Sequence, residues 1–302
     1  MIETVYTVGG VMVGTAIWLL ILRSYDRIEP ESIRHLVTVG LAGGFLSITS
    51  AAFLNEAVRV WVGFGANVFE EAAVAPVLQL AWFCLAVGFV EETTKSVSAV
   101  QITRRLGDLN EPVDAMVYAM TVALGFASFE NLFYAFRFGN EVLLARFLWP
   151  VPAHMAYAAL WGYGLAWARF VHPEKPLILT MAPSVIMAAL FHAAANFLLF
   201  LQETATAVVS LAALTALAIL AHLRLRKLVA ESPFLQPGEC VSCRFVNESQ
   251  ALICINCGVS MEDTEIFVTC PCGQTRISAR FNSCPTCGTV YETADENVER
   301  PL

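Results

Sequence analysis

Charged residues are scarce in this chain of 302 residues, at 15%, whereas globular proteins carry about 25%. The shortage is concentrated in residues 5–223, where long apolar runs hold almost no Asp, Glu, Lys or Arg. A mean hydropathy of +0.62 agrees with this pattern. These features exclude an isolated cytosolic enzyme and indicate a helical membrane protein.

Basic residues are few in the last part of the chain. Residues 231–302 carry 10 acids and only 4 bases. An acidic segment is a poor electrostatic match for phosphate backbones or for an anionic membrane surface. Nucleic acid is therefore not an expected partner.

Runs of about 20 apolar residues recur seven times, which predicts an all-α polytopic bundle of about seven transmembrane helices in a lipid bilayer. The predicted spans are residues 5–22, 33–54, 74–103, 113–138, 147–171, 177–201 and 205–223.

Lysine and arginine give the orientation of this bundle. With the amino terminus outside, ten basic residues fall in cytoplasmic segments and three in outer loops. The first span has no basic leading region, so it is predicted to be a retained anchor rather than a cleaved signal peptide. We expect an integral protein of the cell membrane whose carboxyl-terminal part lies in the cytoplasm.

Composition divides the chain into four parts. Residues 1–228 form the transmembrane unit, 229–237 a linker, 238–291 a cysteine-rich module, and 292–302 an acidic tail.

Cysteine is almost absent from the transmembrane unit, since eight of the nine cysteines fall between positions 240 and 287. Paired thiolates on two tight turns can complete a tetrahedron around zinc. The spacing predicts a double zinc ribbon, a small β module with two structural zinc ions, rather than disulfides, because the cytoplasm keeps thiols reduced. Closed four-thiolate sites favour a structural or partner-binding role. The predicted ligands are Cys240, Cys243, Cys254 and Cys257 in one group, and Cys270, Cys272, Cys284 and Cys287 in the other.

Ionisable residues within the predicted spans are the main anomaly, because each charge near the centre of a membrane helix costs about 2.5–3.5 kcal/mol. Four spans carry such groups, which predicts that they meet in one polar cluster able to activate water. The candidates are Glu91, Glu92 and Lys95 in the third span, Glu130 in the fourth, His154 in the fifth, and His192 with Asn196 in the sixth.

The same residues resemble a known family. The segment EETTK, residues 91–95, resembles the EExxK motif of the PrsW-type glutamic intramembrane proteases. Residues 111–136 resemble that family's next motif, and the segments PAHMAYAALWGYGL and HAAAN follow in the same order. The matched positions in residues 111–136 are Asp114, Tyr118, Gly125, Phe126, Glu130, Asn131 and Tyr134.

The resemblance implies an endopeptidase that hydrolyses a membrane-anchored protein. It implies Glu91 or Glu92 as the base, His154 as its partner, and His192 with Asn196 as hydrogen-bond donors to an oxyanion. The family is similar to the CAAX prenyl endopeptidases, whose second motif is FxxxH. Here Glu130 stands where that motif has histidine.

Two questions stay open at the level of sequence. Water activated by glutamate needs no metal, whereas Glu92, Glu130, His154 and His192 could instead hold a catalytic zinc. A non-catalytic scaffold or receptor would use the polar cluster to clamp helices and the zinc ribbons to recruit a cytoplasmic protein. A proton-coupled transporter would use the same groups to move protons.

Overall fold

The structure is a computed structural model that describes most of the transmembrane unit and parts of the cysteine-rich module. The described residues are 2–106, 109–201, 204–232, 239–240, 242–243, 245–247, 253–259, 261, 267–268, 277–278 and 289.

Helices make up nearly all of the described transmembrane unit. A π-helical turn, Trp167–Val171, continues α7. The α-helices are α1 (Ile2–Arg23), α2 (Ile33–Val62), α3 (Val68–Ala73), α4 (Val77–Leu106), α5 (Pro112–Phe138), α6 (Val142–Leu148), α7 (Pro150–Ala166), α8 (Leu177–Phe200) and α9 (Thr204–Ala230).

Six of these helices, α1, α2, α4, α5, α8 and α9, are long and apolar enough to cross a membrane. Helix α7 has only 17 residues, but with its π-helical turn it covers most of the fifth predicted span. The prediction of a polytopic helical membrane bundle is confirmed. Large apolar side chains such as Phe53, Val74 and Leu78 project outward, as lipid-facing surfaces require.

Helix α2 is longer than the sequence predicted. It continues past residue 54 to Val62 and ends at Gly63, whose φ of 90° is the left-handed conformation that glycine favours. The added turns carry Asn55 and an ion pair between Glu56 and Arg59, three residues apart. Polar residues beyond the end of the predicted span therefore continue the helix, and Asn55 among them reaches the polar cluster.

Helix α5 is the centre of the bundle, with 89% of its most apolar window buried. It crosses α2 at backbone contact, because a Cβ on Gly125 would lie 1.9 Å from the carbonyl oxygen of Gly40. Helices α4 and α8 also meet closely, since a Cβ on Gly88 would lie 2.7 Å from the carbonyl oxygen of Ala189. Small residues allow such close approach in membranes. These crossings bring the polar residues of α4, α5 and α8 together.

Little of the cysteine-rich module is described. An antiparallel pair joins β1 (Phe267–Val268) and β2 (Ile277–Ser278), and Glu239 forms an isolated bridge with Val246. The second predicted ligand group, Cys270, Cys272, Cys284 and Cys287, lies outside the described residues.

Candidate active site

Glu92 on α4 is the hub of a buried polar network. Its Oε1 accepts a hydrogen bond from Lys95 Nζ at 2.6 Å and lies 2.8 Å from Nδ1 of His192 on α8. Its Oε2 accepts a hydrogen bond from the indole of Trp161 on α7 at 3.1 Å. Glu92 and Lys95 are fully buried. The three partners of Glu92 therefore replace the hydrogen bonds that water would make to an exposed carboxylate.

Glu91, one residue earlier, has far fewer partners. Its Oε1 accepts a hydrogen bond from Asn55 Nδ2 at 3.3 Å. Its Oε2 is buried without a hydrogen-bond partner and lies 3.7 Å from Nε2 of His192. One carboxylate oxygen is thus left facing an imidazole.

Glu130 on α5 forms the second charged centre. It makes an ion pair with Arg146 on α6, and its Oε2 lies 3.2 Å from Nε2 of His154. Arg146 also donates from Nε to Asn131 Oδ1 at 2.6 Å, and its guanidinium carbon lies 3.7 Å from the centre of the Tyr134 ring. The arginine therefore balances the carboxylate that stands in place of a motif histidine.

The two histidines face each other across the site. The centres of the His154 and His192 rings are 5.1 Å apart, and Tyr157 stacks on His192 at 5.1 Å. Lys95 Nζ lies 3.0 Å from Nδ1 of His154. Because an ammonium can only donate, this nitrogen accepts the bond and Nε2 of His154 faces Glu130. Both rings are held in fixed orientations.

A cavity of about 440 Å³ adjoins this cluster. Glu91, Glu130, His154, His192 and Asn196 all line it. The structure therefore brings five of the six predicted catalytic residues to one cavity. The sixth, Glu92, is buried behind it.

Three residues at the cavity form a possible donor set for a metal. Glu91, His154 and His192 each offer one ligand atom, and the three atoms lie within 4.8 Å of one another. One carboxylate and two imidazoles are donors that zinc accepts, and the unpartnered Oε2 of Glu91 leaves a lone pair available. The residues fit a metal once His154 gives up its bond to Lys95, because the ring has one lone pair to offer. The set differs from the four predicted ligands because Glu92 is held by its own partners.

Sequence reasoning missed four residues of the site. Asn55 lies just after the second predicted span, and Arg146 just before the fifth. Trp161 and Tyr157 gave no signal beyond their aromatic character. An arginine within the apolar run LLARFLW was the one available clue.

A second cluster lies in the cysteine-rich module, where Cys240, Cys243, Cys254 and Cys257 could hold a metal ion. The Sγ atoms of Cys240 and Cys257 are 3.6 Å apart, as are those of Cys243 and Cys254. Thiolates around zinc at about 2.3 Å are separated by a similar distance. The cluster is therefore compact enough for one tetrahedral ion.

The Cys254 thiol favours the thiolate form that binds metal. Burial by itself raises its pKa, but hydrogen bonds from backbone N–H groups and from Asn247 lower the pKa of Cys254 to about 6. The amide of Asn247 lies 3.5 Å from its Sγ.

A helical bundle whose carboxylates and imidazoles meet at one cavity indicates an intramembrane hydrolase as the class of protein. The sequence profile described as "PrsW family intramembrane metalloprotease" matches residues 31–223. The chain belongs to this family.

Several curated proteins are similar to the chain. Protease PrsW of Clostridioides difficile (strain 630) is 26% identical over 187 residues, which are 60% of this chain and 74% of that protein. Protease PrsW of Shouchella clausii (strain KSM-K16) is 30% identical over 115 residues, 38% of this chain and 53% of that protein. Protease PrsW of Bacillus subtilis (strain 168) is 31% identical over 115 residues, so the chain spans about half the length of these two relatives. No solved structure is significantly similar to the chain.

Proposed function

We propose that this chain hydrolyses a peptide bond of a membrane-anchored protein with water activated by Glu91. The observation that carries the proposal is the unpartnered Oε2 of Glu91. The carboxylates of Glu92 and Glu130 are each paired with a cation, Lys95 or Arg146. Glu91 is thus the one of the three that can gain and lose a proton without leaving a lysine or arginine unpaired.

The proposed reaction begins with water in the cavity beside Glu91. The carboxylate takes a proton from water while the water oxygen bonds to the carbonyl carbon of the substrate. Protonated His192, whose Nδ1 is held by Glu92, presents Nε2–H to the developing oxyanion, and the amide of Asn196 adds a second donor. Glu91 then returns the proton to the leaving nitrogen as the carbon–nitrogen bond breaks.

His154 is proposed to organise the site rather than to carry the proton. Its ring bridges Lys95 and Glu130, so it links the two ion pairs that flank Glu91. The family description also names a metalloprotease. Glu91, His154 and His192 would hold such an ion, which would polarise the substrate carbonyl and a bound water as a Lewis acid.

We also propose a role for the part of the chain that follows the transmembrane unit. The module of residues 238–291, joined by the linker 229–237 and followed by the acidic tail 292–302, is proposed to hold two structural zinc ions in the cytoplasm. It is proposed to recruit a substrate or another protein to the transmembrane unit, residues 1–228. The compact group of Cys240, Cys243, Cys254 and Cys257 supports this for the first zinc.

Substrate accumulation tests the proposed hydrolysis. Host cells that carry either the wild-type chain or Glu91→Gln would be compared by quantitative membrane proteomics, with Glu70→Gln on the short helix α3 as the matched control. We expect membrane-anchored proteins to accumulate uncleaved in Glu91→Gln alone. Equal cleavage products in all three strains, at equal protein levels, would favour the non-catalytic scaffold.

A further inference from the structure

A second group of buried carboxylates lies at the end of the bundle where α1 finishes and α5 begins. Asp26 follows α1, Glu111 immediately precedes α5, and Asp114 lies in its first turn. Their exposed fractions are 2%, 0% and 0%. Three acids from two separate parts of the chain are thus removed from water together.

Each carboxylate has one oxygen that is satisfied. Asp26 Oδ2 accepts a hydrogen bond from the backbone N–H of Glu31 at 2.7 Å. Asp114 Oδ2 accepts from the backbone N–H groups of Asn110 and Glu111, at 3.0 and 2.9 Å.

Glu111 accepts a hydrogen bond from a side chain. Its Oε2 accepts a hydrogen bond from the hydroxyl of Ser232, just after α9. None of the donors found for these three acids among the described residues carries a charge, so these hydrogen bonds alone do not neutralise the group.

The other oxygen of each carboxylate is buried and accepts no hydrogen bond from an N–H or O–H group of the described residues: Asp26 Oδ1, Glu111 Oε1 and Asp114 Oδ1. The three residues offer ligand atoms within 4.8 Å of one another. Two oxygens on opposite sides of a Ca²⁺ ion, each at about 2.4 Å, are separated by a similar distance. The geometry is compatible with three oxygens around one ion.

Three close, buried negative charges are unfavourable without a counter-charge. Burial above all, against the hydrogen bond from Ser232 and with the neighbouring Asp26, raises the pKa of Glu111 to about 8. A proton shared between Asp26 and Glu111 would relieve part of the repulsion, so a proton is the rival occupant.

We propose that Asp26, Glu111 and Asp114 bind one hard divalent cation, Ca²⁺ or Mg²⁺. Oxygen-only donor sets favour these ions over zinc, which prefers imidazole and thiolate ligands. The bound ion connects the segment after α1 with the start of α5. Through Ser232 it also fixes the end of α9, from which the cysteine-rich module continues. This inference does not depend on the proposed hydrolysis.

Direct ion binding to the full-length protein in detergent tests the site. The protein would be purified without soluble chelators, so that cysteine-bound zinc is retained, and its zinc content would be checked before each measurement. Equilibrium dialysis with ⁴⁵Ca²⁺, and with Mg²⁺ measured by elemental analysis, would give ions bound per chain.

Glu111→Gln and Asp114→Asn are the test variants, and Glu29→Gln is the matched control. Glu29 is an exposed neighbouring acid whose Oε2 accepts a hydrogen bond from Asn110 Nδ2 at 2.9 Å. We expect one Ca²⁺ or Mg²⁺ per chain in the wild type and in the control, and at least tenfold weaker binding in both test variants.

The ion with the higher affinity identifies the occupant. Absence of stoichiometric Ca²⁺ or Mg²⁺ in the wild type would overturn the proposal and assign the cluster to a shared proton, whether or not the variants fold. Equal binding by the wild type and by folded test variants would overturn it as well, because the ion would then lie elsewhere. Helical circular dichroism and size-exclusion chromatography establish folding.

Discussion

Oε1 of Glu92 and Nδ1 of His192 lie 2.8 Å apart, although 100 residues separate them in the chain. The contact fixes the imidazole so that Nε2 faces Glu91, the neighbour of Glu92 on the same helix. A carboxylate that orients a histidine while a second one faces the reactive region is a common division of roles in hydrolytic sites. The two adjacent glutamates are therefore not equivalent.

Replacement of the two glutamates should separate these roles. Glu91→Gln leaves no lysine or arginine unpaired, so we expect the melting temperature to change little while cleavage falls by about 10²–10⁴-fold, the usual contribution of a general base. Glu92→Gln leaves Lys95 buried without its counter-ion, and we expect a loss of about 3–5 kcal/mol of stability.

Thermal unfolding in detergent and cleavage of a substrate found by proteomics measure these two effects. A Glu91→Gln variant that unfolds as easily as Glu92→Gln would contradict the division of roles. So would a Glu91→Gln variant that cleaves at the wild-type rate.

Arg146 should stabilise the protein through its ion pair with Glu130. Arg146→Met removes the ion pair and the bond to Asn131, which we expect to cost about 2 kcal/mol, as for other hydrogen bonds to charged groups. Arg137→Met is the matched control, because Arg137 is exposed and lies over the ring of the neighbouring Phe138.

The double variant Glu130→Gln/Arg146→Met completes a thermodynamic cycle with the two single variants, followed by thermal unfolding. We expect it to be more stable than Arg146→Met, because no carboxylate is left without its cation. Strictly additive losses would show that the two residues do not interact.

Metal content distinguishes the two ways of activating water. If Glu91 acts directly, the wild type and His192→Ala should contain the same number of transition-metal ions per chain, all of them in the cysteine-rich module. Cys243→Ser should lose one zinc and leave the transmembrane site unchanged. Elemental analysis of full-length proteins provides the count, and a loss of one ion in His192→Ala would assign a metal to Glu91, His154 and His192.

The polar cluster was predictable mainly where its members share a helix. Glu92 and Lys95 are three residues apart, and helical geometry alone brings them into contact. The cost of single charges in four spans predicted that these groups meet, but not which of them pair, such as Glu92 with His192, because apolar periodicity does not show which faces meet. Arg146 was not predicted because it lies one residue before the fifth predicted span and its partner, Glu130, is on another helix.

Close packing of α2 against α5 should be required for the site. A Cβ on Gly125 would lie 1.9 Å from the carbonyl oxygen of Gly40, so Gly125→Ala must push the two backbones apart. We expect a cost of about 1–3 kcal/mol, typical of overpacking, and a lower cleavage rate because Glu130 lies only five residues further along α5. Gly9→Ala in α1 is the matched control, since nothing lies within 4 Å of its added Cβ. It should be neutral or stabilise by about 0.5–1 kcal/mol, and equal unfolding temperatures for the two variants would show that α2 and α5 do not depend on this contact.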